Sequence, residues 1–146
     1  EFGTTTGRPR TLGMIDAVAL NYSARFSERV CLTWADAYDA FNGGPISIVN
    51  SYIYMGPDVK IPNMNSILNI KVGDEIDFFP TQEVLKYCVP GEIVKVPSWK
   101  TPIANESDFS KTPKEFKEFL GTLEDFAQVN IELISTGPCD KSYIVK

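Results

Sequence analysis

Apolar and polar positions along this chain follow two different periods, and the switches between them mark out its elements. Strict alternation, the mark of a half-buried strand, runs through Arg29–Trp34, where Val30, Leu32 and Trp34 oppose Arg29, Cys31 and Thr33. It returns in Val129–Ser135, where Val129, Ile131 and Leu133 oppose Asn130, Glu132 and Ile134. Met14–Leu20 is a further candidate strand. Ile46–Met55, read ISIVNSYIYM, is the longest, rich in β-branched and aromatic residues and ended by Gly56-Pro57. Ile67–Val72 and Glu75–Phe79 predict a hairpin around Gly73-Asp74. Glu92–Val96 follows the Pro90-Gly91 turn, and Tyr143–Val145 follows Gly137-Pro138. Asn42-Gly43-Gly44-Pro45 is a turn, because Asn and Gly tolerate positive φ.

One segment changes period. In Thr112–Ala127, TPKEFKEFLGTLEDFA, the apolar residues Phe116, Phe119, Leu120, Leu123 and Phe126 fall on one helical face. Thr112 is placed to cap the free amides and Pro113 suits the first helical position. Gly121 weakens the helix by about 1 kcal/mol relative to Ala. The apolar face is expected to pack on the sheet.

With 146 residues the chain suits one domain, which buries roughly 70% of its unfolded surface. The 10 Pro and 10 Gly are dispersed, so turns are frequent, and frequent turns between short apolar runs favour β architecture over a helical bundle. Gly3–Thr11, GTTTGRPRT, has no apolar residue and reads as a tether, while Glu1-Phe2 looks like a cloning-site remnant. Residues 1–11 are therefore assigned to a linker and 12–146 to a single domain.

The net charge of −5 argues against a general nucleic-acid binder, which needs a basic stripe for phosphate contacts. No apolar run approaches the roughly 18 residues that span a membrane, so no membrane insertion is expected. Cys31, Cys88 and Cys139 lack CxxC spacing and are expected to be buried, reduced thiols, with one disulfide plus a free thiol as the alternative.

The chain has no histidine. That closes Ser-His-Asp and Cys-His catalysis and ordinary catalytic zinc sites. Carboxylate pairs, Lys-activated nucleophiles and oxygen-ligated metals remain. Asp74, Glu75 and Asp77 are the best candidate ligands for a hard cation, calcium if any, with Glu75 and Asp77 on one strand face, though the spacing is not that of an EF-hand. The Gly-rich start lacks GK[ST] and is no phosphate loop. No motif announces a reaction, so the chain is expected not to be an enzyme and to need no cofactor. Tyr52 and Tyr54 share one face of the 46–55 strand, and Trp99 sits in a loop bracketed by Pro97 and Pro102. Rigid aromatics in such places anchor interfaces or sugar contacts; the alternative is that they are core.

A polar GTTTGRPRT tether leading into a His-free, turn-rich β domain resembles the protruding domain of small RNA-virus capsid proteins, and is most similar to that of crustacean nodaviruses. The resemblance covers residues 4–146 and rests on architecture rather than on a short motif. It implies an antiparallel β-sandwich or barrel, jelly-roll-like, from which the helix at 112–127 departs. It further implies dimeric spikes on the virion surface, synthesis in the host cytoplasm, attachment to a host-cell receptor or glycan, and a capsid shell domain reached through the linker. A carbohydrate-binding module using Tyr52, Tyr54 or Trp99 is the second reading, and a carboxylate-based hydrolase the third.

Overall fold

The computed structural model describes residues 6–9, 13–63 and 66–146. Its elements run β1 (Ile15–Asp16), α1 (Ala17–Ala24), β2 (Arg29–Leu32), a 3-10 helix (Ala35–Phe41), β3 (Pro45–Val49), β4 (Tyr52–Tyr54), β5 (Val59–Asn63), β6 (Ser66–Ile70), β7 (Glu75–Ile76), α2 (Gln82–Leu85), β8 (Cys88–Pro90), β9 (Ile93–Pro97), a 3-10 turn (Phe109–Lys111), α3 (Lys114–Ala127), β10 (Asn130–Ser135) and β11 (Tyr143–Val145).

The spine is an antiparallel ribbon in which β3 pairs β9 and β4 pairs β8. Its register survives a bend: Val49 faces Ile93, and Tyr52, three residues on, faces Pro90, three residues back. At the bend Asn50 N–H donates to Glu92 O, Gly91 N–H donates to Ser51 O, and Ser51 Oγ accepts Glu92 N–H. The expected strand Ile46–Met55 is thus two strands. Its polar pair Asn50-Ser51 marks where the chain steps from one three-stranded sheet, β1-β3-β9, into another, β7-β4-β8.

The remaining pairings overturn an antiparallel sandwich, barrel or jelly roll. β1 pairs β3 in parallel and β2 pairs β10 in parallel, within four small sheets interleaved with helices. Parallel neighbours need crossover connections, which helices commonly supply, so the fold is mixed α/β. The expected hairpin of 67–72 with 75–79 is also replaced. The turn at Lys71–Asp74 closes, with Gly73 at φ +90° and Lys71 N–H donating to Asp74 Oδ2 at 2.8 Å. The strand after it pairs β4, while β6 pairs β5.

Met14–Leu20, expected as a strand, is a two-residue β1 followed by α1. Asp16 caps the helix by accepting Ala19 N–H at 2.9 Å, and the Ala- and Leu-rich sequence behind it favours helix. α3 is the predicted helix, with Phe116, Phe119, Leu120 and Leu123 buried. Its cap differs from the expectation: Pro113 holds the cap position without a side-chain bond, and the Thr112 hydroxyl donates back to Phe109 O.

Two apolar clusters result. The first gathers Ile46, Ile48, Trp99, Ile131, Ile134 and Ile144 around α3. The second gathers Val18, Val49, Tyr52, Tyr54, Ile70, Ile76 and Val84 beyond the bend. The cysteines are free thiols, but Cys31 and Cys139 are exposed and only Cys88 is half-buried, so the expectation of three buried thiols fails. Among the described residues no helix is long and apolar enough to cross a membrane.

Two substitutions in α3 test this packing by urea denaturation. Phe119→Ala, at a wholly buried position, is expected to cost about 3–5 kcal/mol. Gly121→Ala meets nothing within 4 Å of the new Cβ and is expected to add about 0.5–1 kcal/mol.

Candidate functional site

α1 is apolar on most of its circumference, so it needs neighbours on more than one side. Asp16, Ala19, Leu20 and Ser23 line a hollow of about 520 Å³ whose other walls are β1, β2 and the 35–41 helix. Val30, Leu32, Trp34, Tyr38 and Phe41 give this hollow a mainly apolar surface. Its size suits a small molecule, and apolar walls with a few polar groups are the usual composition of a ligand site.

Asp16 is the polar corner of the hollow. One carboxylate oxygen caps α1 and the other accepts the Tyr52 hydroxyl at 2.6 Å, tying the hollow to the second core. Burial first, and then the Asp16 carboxylate, push the Tyr52 hydroxyl far above its ordinary value. Tyr38, on the opposite wall, is also raised, by burial.

The wall at residues 33–41 carries two local irregularities. Trp34 opens the 3-10 helix in the left-handed region, at φ 63° and ψ 37°, with 42% of its surface exposed. A bulky residue held there costs on the order of 1–2 kcal/mol, and such strain gathers at functional sites. Two residues on, Asp36 Oδ1 is buried with no hydrogen-bond donor among the described residues.

Behind the wall, Asp39 fixes the loop after β9. Its carboxylate accepts the Trp99 indole N–H, Ile103 N–H at 3.0 and 3.1 Å, and Ala104 N–H at 3.1 Å. The loop in turn holds the turn after β10. Asn105 N–H donates to Thr136 O at 2.8 Å, Thr136 Oγ1 to Glu106 O at 2.7 Å, and Ser142 Oγ to Asn105 Oδ1 at 2.8 Å. Gly137 is required in that turn, because a Cβ would lie 2.7 Å from Asn105 Oδ1.

The residues singled out from sequence lie elsewhere than at a surface. Tyr52, Tyr54 and Trp99 are buried, each polar end satisfied internally: Tyr52 by Asp16, Tyr54 by Pro57 O at 2.8 Å, Trp99 by Asp39. The core alternative describes their placement, and none is available as an exposed anchor. Asp74, Glu75 and Asp77 do not converge. Asp74 accepts Lys71 N–H, Glu75 accepts the Ser51 hydroxyl, and among the described residues no group of three acids, cysteines or histidines is set to hold a metal. Of the tether, residues 3–5 and 10–11 lie outside the described residues; Gly7 has φ +61° and Arg8 N–H donates to Thr6 Oγ1. Sequence reasoning missed Asp16, Asp36 and Asp39. The available signals were the Asp16-x-x-Ala19 cap and the acids spaced along 36–39.

A small-molecule hollow on a mixed α/β frame is the class of arrangement found in enzymes. The adenylosuccinate synthetase family model matches residues 1–144, and the chain belongs to that family. Adenylosuccinate synthetases of Vanderwaltozyma polyspora and Meyerozyma guilliermondii are 32% and 31% identical to it, over 99% and 100% of this chain. The chain spans about 30% of the length of these relatives. The solved structure of fully ligated adenylosuccinate synthetase from Plasmodium falciparum matches all of the chain with a TM-score of 0.74 at 25% identity, over 31% of that structure's chain.

These findings replace the capsid reading. A domain whose relatives are enzymes of one metabolic family is neither a virion-surface spike, nor a carbohydrate module, nor a hydrolase. The expected shell domain, host receptor or glycan, spike homodimer and virion location fall with it. So does the expectation of a non-enzyme, since lack of histidine excludes only histidine chemistry.

Two measurements test the site's internal wiring. Asp39→Asn keeps one acceptor but turns an NH2 toward an amide donor; it is expected to cost about 2–3 kcal/mol and to shift Trp99 emission to the red. Tyr52 has its hydroxyl stabilised in the neutral form by folding, so its contribution is complete below pH 10 and is lost as pH rises above that. Tyr52→Phe should lower stability at pH 7 by about 1–2 kcal/mol and make the alkaline decline shallower in pH-dependent urea titrations.

Proposed function

We propose that this chain is part of an adenylosuccinate-forming ligase and that the hollow beside α1 belongs to its active surface. What supports the reading is the family match over residues 1–144 together with the superposition on a ligated synthetase. The family uses GTP and Mg2+. The described residues do not fit the metal by themselves, since no three acids converge. The ion's ligands would therefore come from parts of the relatives that this segment does not cover.

This segment's contribution is shape. Leu20, Val30, Leu32 and Tyr38 form walls that exclude water from one side of a bound ring. Strands β1 and β2 border the hollow, and among the described residues each stands at the edge of its sheet with one side unpaired. Open parallel edges beside an apolar hollow are ordinarily covered, and the remaining two-thirds of the enzyme supplies that cover in this reading.

The test is adenylosuccinate formation by the longer polypeptide that carries this segment, given GTP, Mg2+, and the purine nucleotide and amino diacid from which the product is assembled. Ser23 lies on an exposed position of α1 facing the hollow. Ser23→Trp is expected to lower kcat/KM about tenfold or more with the melting temperature little changed. Absence of product from the unsubstituted polypeptide would refute the ligase reading; unchanged kinetics in the Trp variant would remove the hollow from the active surface.

A further inference from the structure

The opposite side of α1 faces a second cavity, of about 370 Å³, that the proposed reaction does not use. Val18, Asn21, Tyr22 and Arg25 form the i, i+3, i+4, i+7 row that lines it, one face removed from the row bordering the first hollow. Ile61, Leu68 and Phe78 close its far side. We propose that this cavity binds a small aromatic carboxylate, its ring against the Tyr22–Phe79 wall and its charge on Arg25.

Three observations carry the assignment. First, the aromatic wall is preformed: Tyr22 and Phe79 stack at 5.2 Å with 27° between planes, and Phe26 meets Tyr22 edge-on at 5.6 Å. A flat apolar ring extends such a stack. Second, the guanidinium is positioned by neutral groups. Arg25 Nη2 donates to Asn21 Oδ1 at 3.0 Å, and Asn21 Nδ2 donates to Phe126 O at 2.9 Å, anchoring the pair to α3. That contact is neutral, and among the described residues no acid pairs with Arg25, which leaves most of its five donors for a ligand; a planar carboxylate matches that fork. Third, among the described residues no carboxylate lines the cavity. Asp77, the nearest acid along the chain, borders a separate recess on the other side of Asn21. Thr81 lines the cavity and spends no side-chain bond on capping α2, so its hydroxyl is an additional donor.

A cavity of this volume takes a one- or two-ring molecule and is too small for a nucleotide with its phosphates extended. The choice of an acid over a neutral ring follows from the single positive charge, and over a phosphate ester from the dominance of apolar wall. This assignment stands apart from the ligase reading, since none of its groups faces the first hollow.

The experiment is equilibrium binding to the 146-residue chain, followed by NMR shifts, with benzoate and its neutral isostere benzamide as probes. Benzoate is expected to bind with millimolar affinity or better, at least about tenfold more tightly than benzamide. Shifts should centre on Tyr22, Arg25 and Phe79. Arg25→Gln should abolish the preference for the acid while leaving benzamide binding as it was. Leu68→Trp, which fills the cavity, should remove both, with the dispersion of the remaining spectrum showing that the chain is folded. Equal binding of the two probes, no binding by either, or benzoate binding that survives both substitutions would overturn the proposal.

Discussion

The Asp39 carboxylate is the constraint on which the larger half of the molecule depends. Trp99 sits at the centre of that half, edge-on to Phe116 at 4.8 Å and tilted against Phe119 at 5.8 Å. Its indole N–H has to find an acceptor in the interior, because an unpaired buried donor costs more than the ring's neighbours return in packing detail. Asp39 supplies that acceptor from the 3-10 helix. With its remaining capacity it takes the amides of Ile103 and Ala104, groups that no strand or helix satisfies. One side chain thus fixes the indole, the loop that follows it, and, through Asn105 and Thr136, the turn between β10 and β11. The same 3-10 helix carries Tyr38 and Phe41 into the hollow wall, so the hollow inherits its shape from this anchorage.

Local pattern revealed what local forces decide. The 3, 1, 3, 3 spacing of Phe116, Phe119, Leu120, Leu123 and Phe126 gave α3, because a one-sided apolar stripe has a single way to be buried. Glu92–Val96 and Tyr143–Val145 emerged as β9 and β11 nearly as read; Val129–Ser135 emerged as β10, but its alternation breaks at an irregularity, so Ile131 and Ile134 are buried and Leu133 is exposed. α1 was illegible for the opposite reason: Ala17, Val18, Leu20 and Tyr22 surround the helix and leave no stripe to detect. Pairing was illegible too. β2 lies parallel to β10 a hundred residues away, with a register shift between Ile131 and Leu133, and nothing within either strand encodes direction. The hairpin expected of 67–72 with 75–79 assumed that neighbours in sequence pair with each other, which β6 and β7 do not.

The site was less legible than the fold. Tyr52, Tyr54 and Trp99 were expected as anchors because they are large aromatics on strands or stiff loops. Which way such a ring faces depends on whether a polar partner waits inside, and Asp16, Pro57 and Asp39 are 36, 3 and 60 residues distant. The inference from missing histidine failed for a different physical reason. It read the chain as a whole protein, whereas a segment that covers about 30% of its relatives need not hold the groups that react. A segment covering about 30% of its relatives can contribute walls and hydrogen-bond acceptors with no obvious chemical motif.

α1 is where these threads meet. Its N-terminal cap residue, Asp16, also holds Tyr52 of the second core; its inner residue Leu20 packs against the first. A short helix clamped at its start by a carboxylate and at its side by Asn21 bonded to Phe126 O has little freedom to translate. It forms a rigid partition with a hollow on each side. On one side the row Ala19, Leu20, Ser23 is small and apolar, suited to accommodate a ring; on the other, Asn21, Tyr22 and Arg25 are large and polar, suited to orient one. The two rows are offset by two residues, about 200° around the helix. Only about half a turn of the helix would bring Arg25 to the other hollow, and it would break both the Asp16 cap and the Asn21 bond. The Asp16 cap and the Asn21–Phe126 bond therefore do more than start and anchor a helix: they decide which cavity receives the charge.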